Sequence, residues 1–111
     1  MDKGGLSPFV ARRVVGVINS NLSRKIRIQD LASGVKLSSS HFCRAFRTTF
    51  GVPPVVYVAH QRIRRAQELM RKTSDPLVCI ALECGLCDQA HLTRVFRRVM
   101  GMSPSAWRRQ S

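Results

Sequence analysis

"HFCRAFRTTFGVPP" occupies residues 41–54, and "HLTRVFRRVMGMSP" occupies residues 91–104. Over the slightly wider windows 38–54 and 88–104, six of seventeen positions are identical: His41/His91, Arg44/Arg94, Phe46/Phe96, Arg47/Arg97, Gly51/Gly101 and Pro54/Pro104. Composition alone gives about one match over such a length. Phe42/Leu92, Ala45/Val95 and Phe50/Met100 are conservative pairs, and Tyr57/Trp107 carries the likeness further. A short chain that repeats itself in this way is built from two copies of one structural unit.

The surrounding residues say what the unit is. Apolar residues recur at helical spacing throughout, and strand alternation is absent, so the chain reads as all-α. Ser7-Pro8 is a cap followed by proline at the first helical position. The helix it opens carries Phe9, Val10, Val14, Val17 and Ile18 as its apolar stripe. A short helix over residues 28–34 points Leu31, Ala32 and Val35 inward. Ser38 caps a longer one that Gly51 stops. A long helix over 54–72 carries Val56, Ala59, Ile63, Ala66 and Met70 on one side. Asp75-Pro76 begins another short helix, Asp88 caps another longer one, and Ser103-Pro104 starts a last short one. Short helix, tight turn and longer helix therefore occur twice, which is helix-turn-helix spacing. The copies slip by one residue at the turn: "LASGVKLS" before the first longer helix, "IALECGLCD" before the second.

The chain is 111 residues long, enough for one ordinary domain or two very small ones. Its 44% apolar content suffices for a core. No apolar run approaches the roughly 18 residues of a membrane span. "MDKGGLSPF" lacks the basic-then-apolar order of a signal peptide. A cytoplasmic, nucleoid-associated protein is expected.

Nineteen Lys and Arg against six Asp and Glu give a net charge of +13, and fifteen of the nineteen are Arg. A field of that size suits a polyanion, foremost nucleic acid. Arginine's planar fork grips phosphate and guanine with paired hydrogen bonds. The second helix of each unit sorts its residues accordingly. Phe42, Ala45, Phe46 and Thr49 face inward, leaving Ser39, Ser40, Cys43, Arg44 and Arg47 outward. In the second copy Leu92, Val95, Phe96 and Val99 face inward, leaving Gln89, Ala90, Thr93, Arg94 and Arg97 outward. Small residues near a helix start let its backbone sink into the major groove, where Arg and Gln read base edges. Arg47 and Arg97 lie one turn further on and suit phosphate.

Four cysteines, Cys43, Cys79, Cys84 and Cys87, are expected as reduced thiols and read as ordinary small buried apolar residues. A thiol-based redox or metal sensor is the competing reading of the 79–87 cluster. It has one Cys-x-x-Cys pair and no second, so no metal is expected. His41 and His91 read as packing or hydrogen-bonding residues. With no glycine-rich phosphate loop, no paired acids and no partner for His60, no enzyme and no cofactor are expected. A non-specific nucleic-acid or RNA binder is the other alternative. RNA modules display stacking aromatics, and here aromatics are 6% and mostly inward by helical phase.

"DLASGVKLSSSHFCRAFRTTFGVPPVVYVAHQRIRRAQELM" (30–70) and "DPLVCIALECGLCDQAHLTRVFRRVMGMSPSAWR" (75–108) resemble the DNA-binding domain of the AraC family of bacterial transcription regulators. The resemblance covers roughly residues 8–109. "GLCDQAHLTRVFRRVMGMSPSAWR" is its most specific part, and Tyr57, Arg62, Ile63, Ala66 and Leu69 match the family's linker helix. It implies one domain over 1–111 with seven helices: a helix-turn-helix subdomain at 8–52, a linker helix at 54–72 and a second subdomain at 75–109. It also implies that Ser39, Ser40, Cys43 and Arg44, and their counterparts Gln89, Ala90, Thr93 and Arg94, face the groove. Ser40 and Cys43 are smaller than the family's usual reading residues, so the first unit should read bases less strongly. Leu86 stands where the family has Phe, a change of packing. The expected partner is double-stranded DNA at an asymmetric bipartite site bound by a monomer, with RNA polymerase a further candidate. The 19-residue linker spans about 28 Å at 1.5 Å per residue, close to the roughly 34 Å between successive major grooves on one DNA face.

Overall fold

A computed structural model describes residues 4–110. Seven helices follow in order: α1 (Pro8–Ser20), α2 (Ile28–Gly34), α3 (Ser39–Phe50), α4 (Pro54–Lys72), α5 (Leu77–Glu83), α6 (Gln89–Met100) and α7 (Pro104–Gln110). No strand occurs among the described residues. The helices divide into two compact units. One comprises Met1–Asn21 and Lys25–Val58; the other comprises Leu22–Arg24 and Ala59–Ser111.

Local signals set the starts of α1, α3 and α6 and the ends of α3 and α6. Ser7 Oγ accepts the Val10 amide, and Pro8 occupies the first turn of α1, where no amide is needed. Ser38 Oγ accepts the His41 amide at 3.2 Å, and Asp88 Oδ1 accepts the His91 amide at 2.8 Å. Gly51 and Gly101 end α3 and α6 in the left-handed conformation, at φ 81° and 79°. The second short helix begins directly after Asp75-Pro76, and Pro76 holds the cap position with no side-chain bond. The Asp75 amide donates to Thr73 Oγ1.

In the first unit Val14, Ile18, Leu31, Ala32, Phe42, Ala45 and Phe46 are buried. Phe46 meets Phe42 at 5.8 Å, Phe50 at 4.4 Å and Tyr57 at 5.5 Å between ring centroids. In the second unit Ile63, Ala66, Met70, Ile80, Ala81, Cys84, Leu86, Leu92, Val95 and Phe96 form one buried cluster. Phe96 meets Trp107 edge-on at 5.9 Å, the counterpart of Phe46 with Tyr57.

Two expected stripes are corrected. Phe9 is 65% exposed and Val17 45%. At 100° per residue Phe9 lies about 140° around the helix from Val14, and Val17 sits at the margin of the stripe. On α4, Val56 is exposed and Val58 is buried. One stripe does not describe this helix, because its start, with buried Pro54 and Val58, belongs to the first unit. Ile63, Ala66 and Met70 belong to the second.

Candidate nucleic-acid interface

α3 and α6, the longer helix of each helix-turn-helix pair, present their outer residues as the spacing predicts. On α3, Ser39, Ser40, Arg44 and Arg47 are exposed and Cys43 is half-buried; on α6, Gln89, Ala90, Arg94 and Arg97 are exposed and Thr93 is half-buried. Beneath them Phe42, Phe46, Leu92 and Phe96 are fully buried, which fixes the rotation of each helix about its axis. Thr49 and Val99, expected inward, are half-buried, and Thr49 Oγ1 accepts the Leu6 amide at 2.8 Å.

The four arginines of these faces carry uncompensated charge. Among the described residues ion pairs join Arg65 to Glu83 and Lys72 to Glu68, and none engages Arg44, Arg47, Arg94 or Arg97. Asp88, the acid at the start of α6, is engaged as its cap. An exposed helix face that is small at its start, rich in hydrogen-bonding groups and positively charged offers base edges and phosphates what they require.

The turns before α3 and α6 locate the one-residue slip. Leu37 and Leu86 both donate their amides to a carbonyl five residues back, Ala32 and Ala81, each at 2.9 Å. Lys36 and Gly85 both hold positive φ, 61° and 78°. In the first unit Ser38, the cap, follows Leu37 directly. In the second, Cys87 intervenes before Asp88, so Cys87 is the extra residue. Its amide donates to His91 Nδ1 at 3.1 Å.

Sequence reasoning missed the residues that hold the loops. Arg62 donates from Nε to Leu22 O at 3.2 Å and from Nη2 to Arg24 O at 2.7 Å. Partial burial pulls this guanidinium below its ordinary value, opposed by the neighbouring Cys84 and Cys87. Arg108 donates to Asp75 O and Thr73 O, both at 2.8 Å. Arg62 thus lies beyond α3 in the chain and fastens the loop between α1 and α2, and Arg108 lies beyond α6 and fastens the loop between α4 and α5. No pattern in the sequence marks these partners, because backbone carbonyls carry no residue signature.

The cysteines depart from expectation. Cys84 alone is buried; Cys43 is half-buried, and Cys79 and Cys87 are exposed. Among the described residues no three His, Cys, Asp or Glu side chains gather as a metal site. Phe9 is the aromatic ring that stands out to solvent, while Tyr57 and Trp107 are half-buried against Phe46 and Phe96.

Residues 31–110 match a family model described as a helix-turn-helix domain. The chain is 29% identical to the DNA-binding domain of AdpA, a global transcriptional factor whose structure was solved with a target DNA. The TM-score is 0.84, and 90% of each chain is covered. A transcriptional regulator of Chromobacterium violaceum with an AraC-type DNA-binding domain matches at 27% identity and a TM-score of 0.84, over 91% of this chain and 90% of that one. The chain belongs to the AraC family of helix-turn-helix DNA-binding domains. LumQ of Photobacterium leiognathi, named as a transcriptional regulator, is 33% identical over 81% of this chain but only 36% of its own length. The chain spans about a third of the length of the curated relatives it matches. No helix of the described residues is long and apolar enough to cross a membrane.

Proposed function

We propose that this AraC-type domain binds double-stranded DNA sequence-specifically and so regulates transcription. The observation that carries the reading is the pair of matched but unequal outer faces. Gln89, Ala90, Thr93 and Arg94 on α6, and Ser39, Ser40, Cys43 and Arg44 on α3, are assigned to base edges. Arg47 and Arg97 are assigned to phosphate. One chain carries both reading helices, so a monomer takes a site of two different boxes in successive major grooves. The length of α4 supports a separation of about one helical turn. The protein works in the cytoplasm at the nucleoid, with RNA polymerase as a candidate second partner. No catalytic step is assigned, in keeping with the family.

The test is equilibrium binding to a duplex selected from a random pool, against its scrambled sequence, at physiological salt. A preference of about 10³-fold or more supports specific recognition. A ratio near one supports non-specific binding to the phosphate backbone.

A further inference from the structure

We propose that His91 is a positioning residue for the second reading helix: its ring fastens the one residue by which the second turn exceeds the first. The inference rests on the duplex-reading function above. In an ordinary capping box the cap side chain accepts the amide of the third helical residue, whose own Glu or Gln side chain reaches back to the cap amide. His41 and His91 both hold that third position, and both donate their amides to the cap, Ser38 and Asp88. Only His91 reaches back. In the first unit the residue before the cap is Leu37, whose amide is already given to Ala32 O. In the second unit Leu86 makes the same bond to Ala81 O, so the added Cys87 brings an extra amide outside the turn. His91 Nδ1 accepts it at 3.1 Å.

The two bonds close a loop through Cys87, Asp88 and His91. Asp88 is fully extended, at φ −162° and ψ −179°, where Ser38 stands at −70° and 158°. The longer connection is thus drawn straight and tied at both ends, directly before Gln89 and Ala90. Without the ring bond, Cys87 and Asp88 gain freedom, and the entrance of α6 that carries the reading residues loosens. Because Nδ1 accepts, the ring hydrogen sits on Nε2 in the neutral form.

Two measurements without DNA test the clasp, and one with DNA tests its purpose. Nitrogen-15 spectra of the His91 ring should show the Nε2–H tautomer. Exchange of the Cys87 amide should be slowed several-fold relative to His91→Leu. On the selected duplex His91→Leu should lose about tenfold in affinity. His91→Asn, whose amide oxygen can stand near the place of Nδ1, should recover most of that and restore Cys87 protection. An Nδ1–H tautomer, or unprotected Cys87 in the wild type, overturns the clasp. Wild-type affinity in His91→Leu, or equal loss in His91→Leu and His91→Asn, overturns the positioning role. Failure of the wild type to prefer the selected duplex over its scramble counts against the reading function, and the ring spectra and exchange then decide the clasp on their own.

Discussion

Arg62 and Gly85 converge on one backbone atom, the carbonyl oxygen of Leu22. Arg62 Nε donates to it, and Gly85 passes so close that a Cβ there would overlap it. The turn before α6 and the Leu22 carbonyl thus share one small space with the Arg62 guanidinium.

Gly85→Ala should therefore be the costliest of the turn-glycine substitutions. A side chain at its φ of 78° costs about 1–2 kcal/mol in backbone strain, and the overlap with Leu22 O and the Arg62 guanidinium adds to that. Gly101 has nearly the same φ, 79°, but open space around it, so Gly101→Ala should carry the strain alone. Urea unfolding of the two variants checks this, and equal losses would show that the close approach does not matter.

Arg62→Ala should lower unfolding stability by about 1.5–3 kcal/mol, the range for hydrogen bonds to a charged group. Arg62→Lys should recover little, because an ammonium group cannot reproduce the planar fork that spans Leu22 O and Arg24 O. Thermal melts that leave the lysine variant at wild-type stability would show that charge, rather than geometry, holds the loop.

The thiols should separate by burial. At pH 8 a small alkylating reagent should label Cys79 and Cys87 quickly, Cys43 more slowly, and Cys84 only on unfolding. Burial pushes the Cys84 thiol from 9.0 up to about 11, with Glu83 assisting and Arg65 and Arg62 opposing. A raised folded-state value means this contribution to stability is present below about pH 9 and lost as pH rises towards 11. Replacing Cys84 with Ala should flatten the alkaline stability profile in that window. Labelling of native Cys84 as fast as Cys79 would contradict the assignment.

Arg94→Ala should cost about 1–3 kcal/mol on the preferred duplex and relax selectivity at one base position. Arg97→Ala should weaken preferred and scrambled DNA alike and reduce the salt slope by about one unit. Arg44→Ala should matter less than Arg94→Ala, since Ser40 and Cys43 beside it are small. Identical behaviour of the Arg94 and Arg97 variants on both duplexes would remove the division between reading and anchoring.

The repeat, the caps at Ser7, Ser38 and Asp88, and the stops at Gly51 and Gly101 are local signals, and they were legible as sequence. So were the outer faces of α3 and α6, because Phe42, Phe46, Leu92 and Phe96 recur at helical spacing and bury as expected. Phe9 is exposed because it lies about 140° around the helix from Val14 and so off the stripe, and Val56 departs from expectation because a stripe does not say which core lies beneath each end of a long helix. The slip between the repeats was visible, but not its site. Locating Cys87 as the extra residue requires the matched bonds of Leu37 and Leu86. The Arg62 and Arg108 clamps depend on backbone brought near by tertiary folding, whereas the pairing of His91 with the Cys87 amide is local but follows only once Cys87 is placed as the extra residue.

Whether one chain reads two different boxes is decided by selecting bound duplexes from a random pool and then measuring the mass of the complex on the shortest selected site. The unlike faces Ser39-Ser40-Cys43 and Gln89-Ala90-Thr93 predict an asymmetric site, its boxes about one helical turn apart, occupied by a single chain. A palindromic site, or two chains on the shortest duplex that binds, would contradict it.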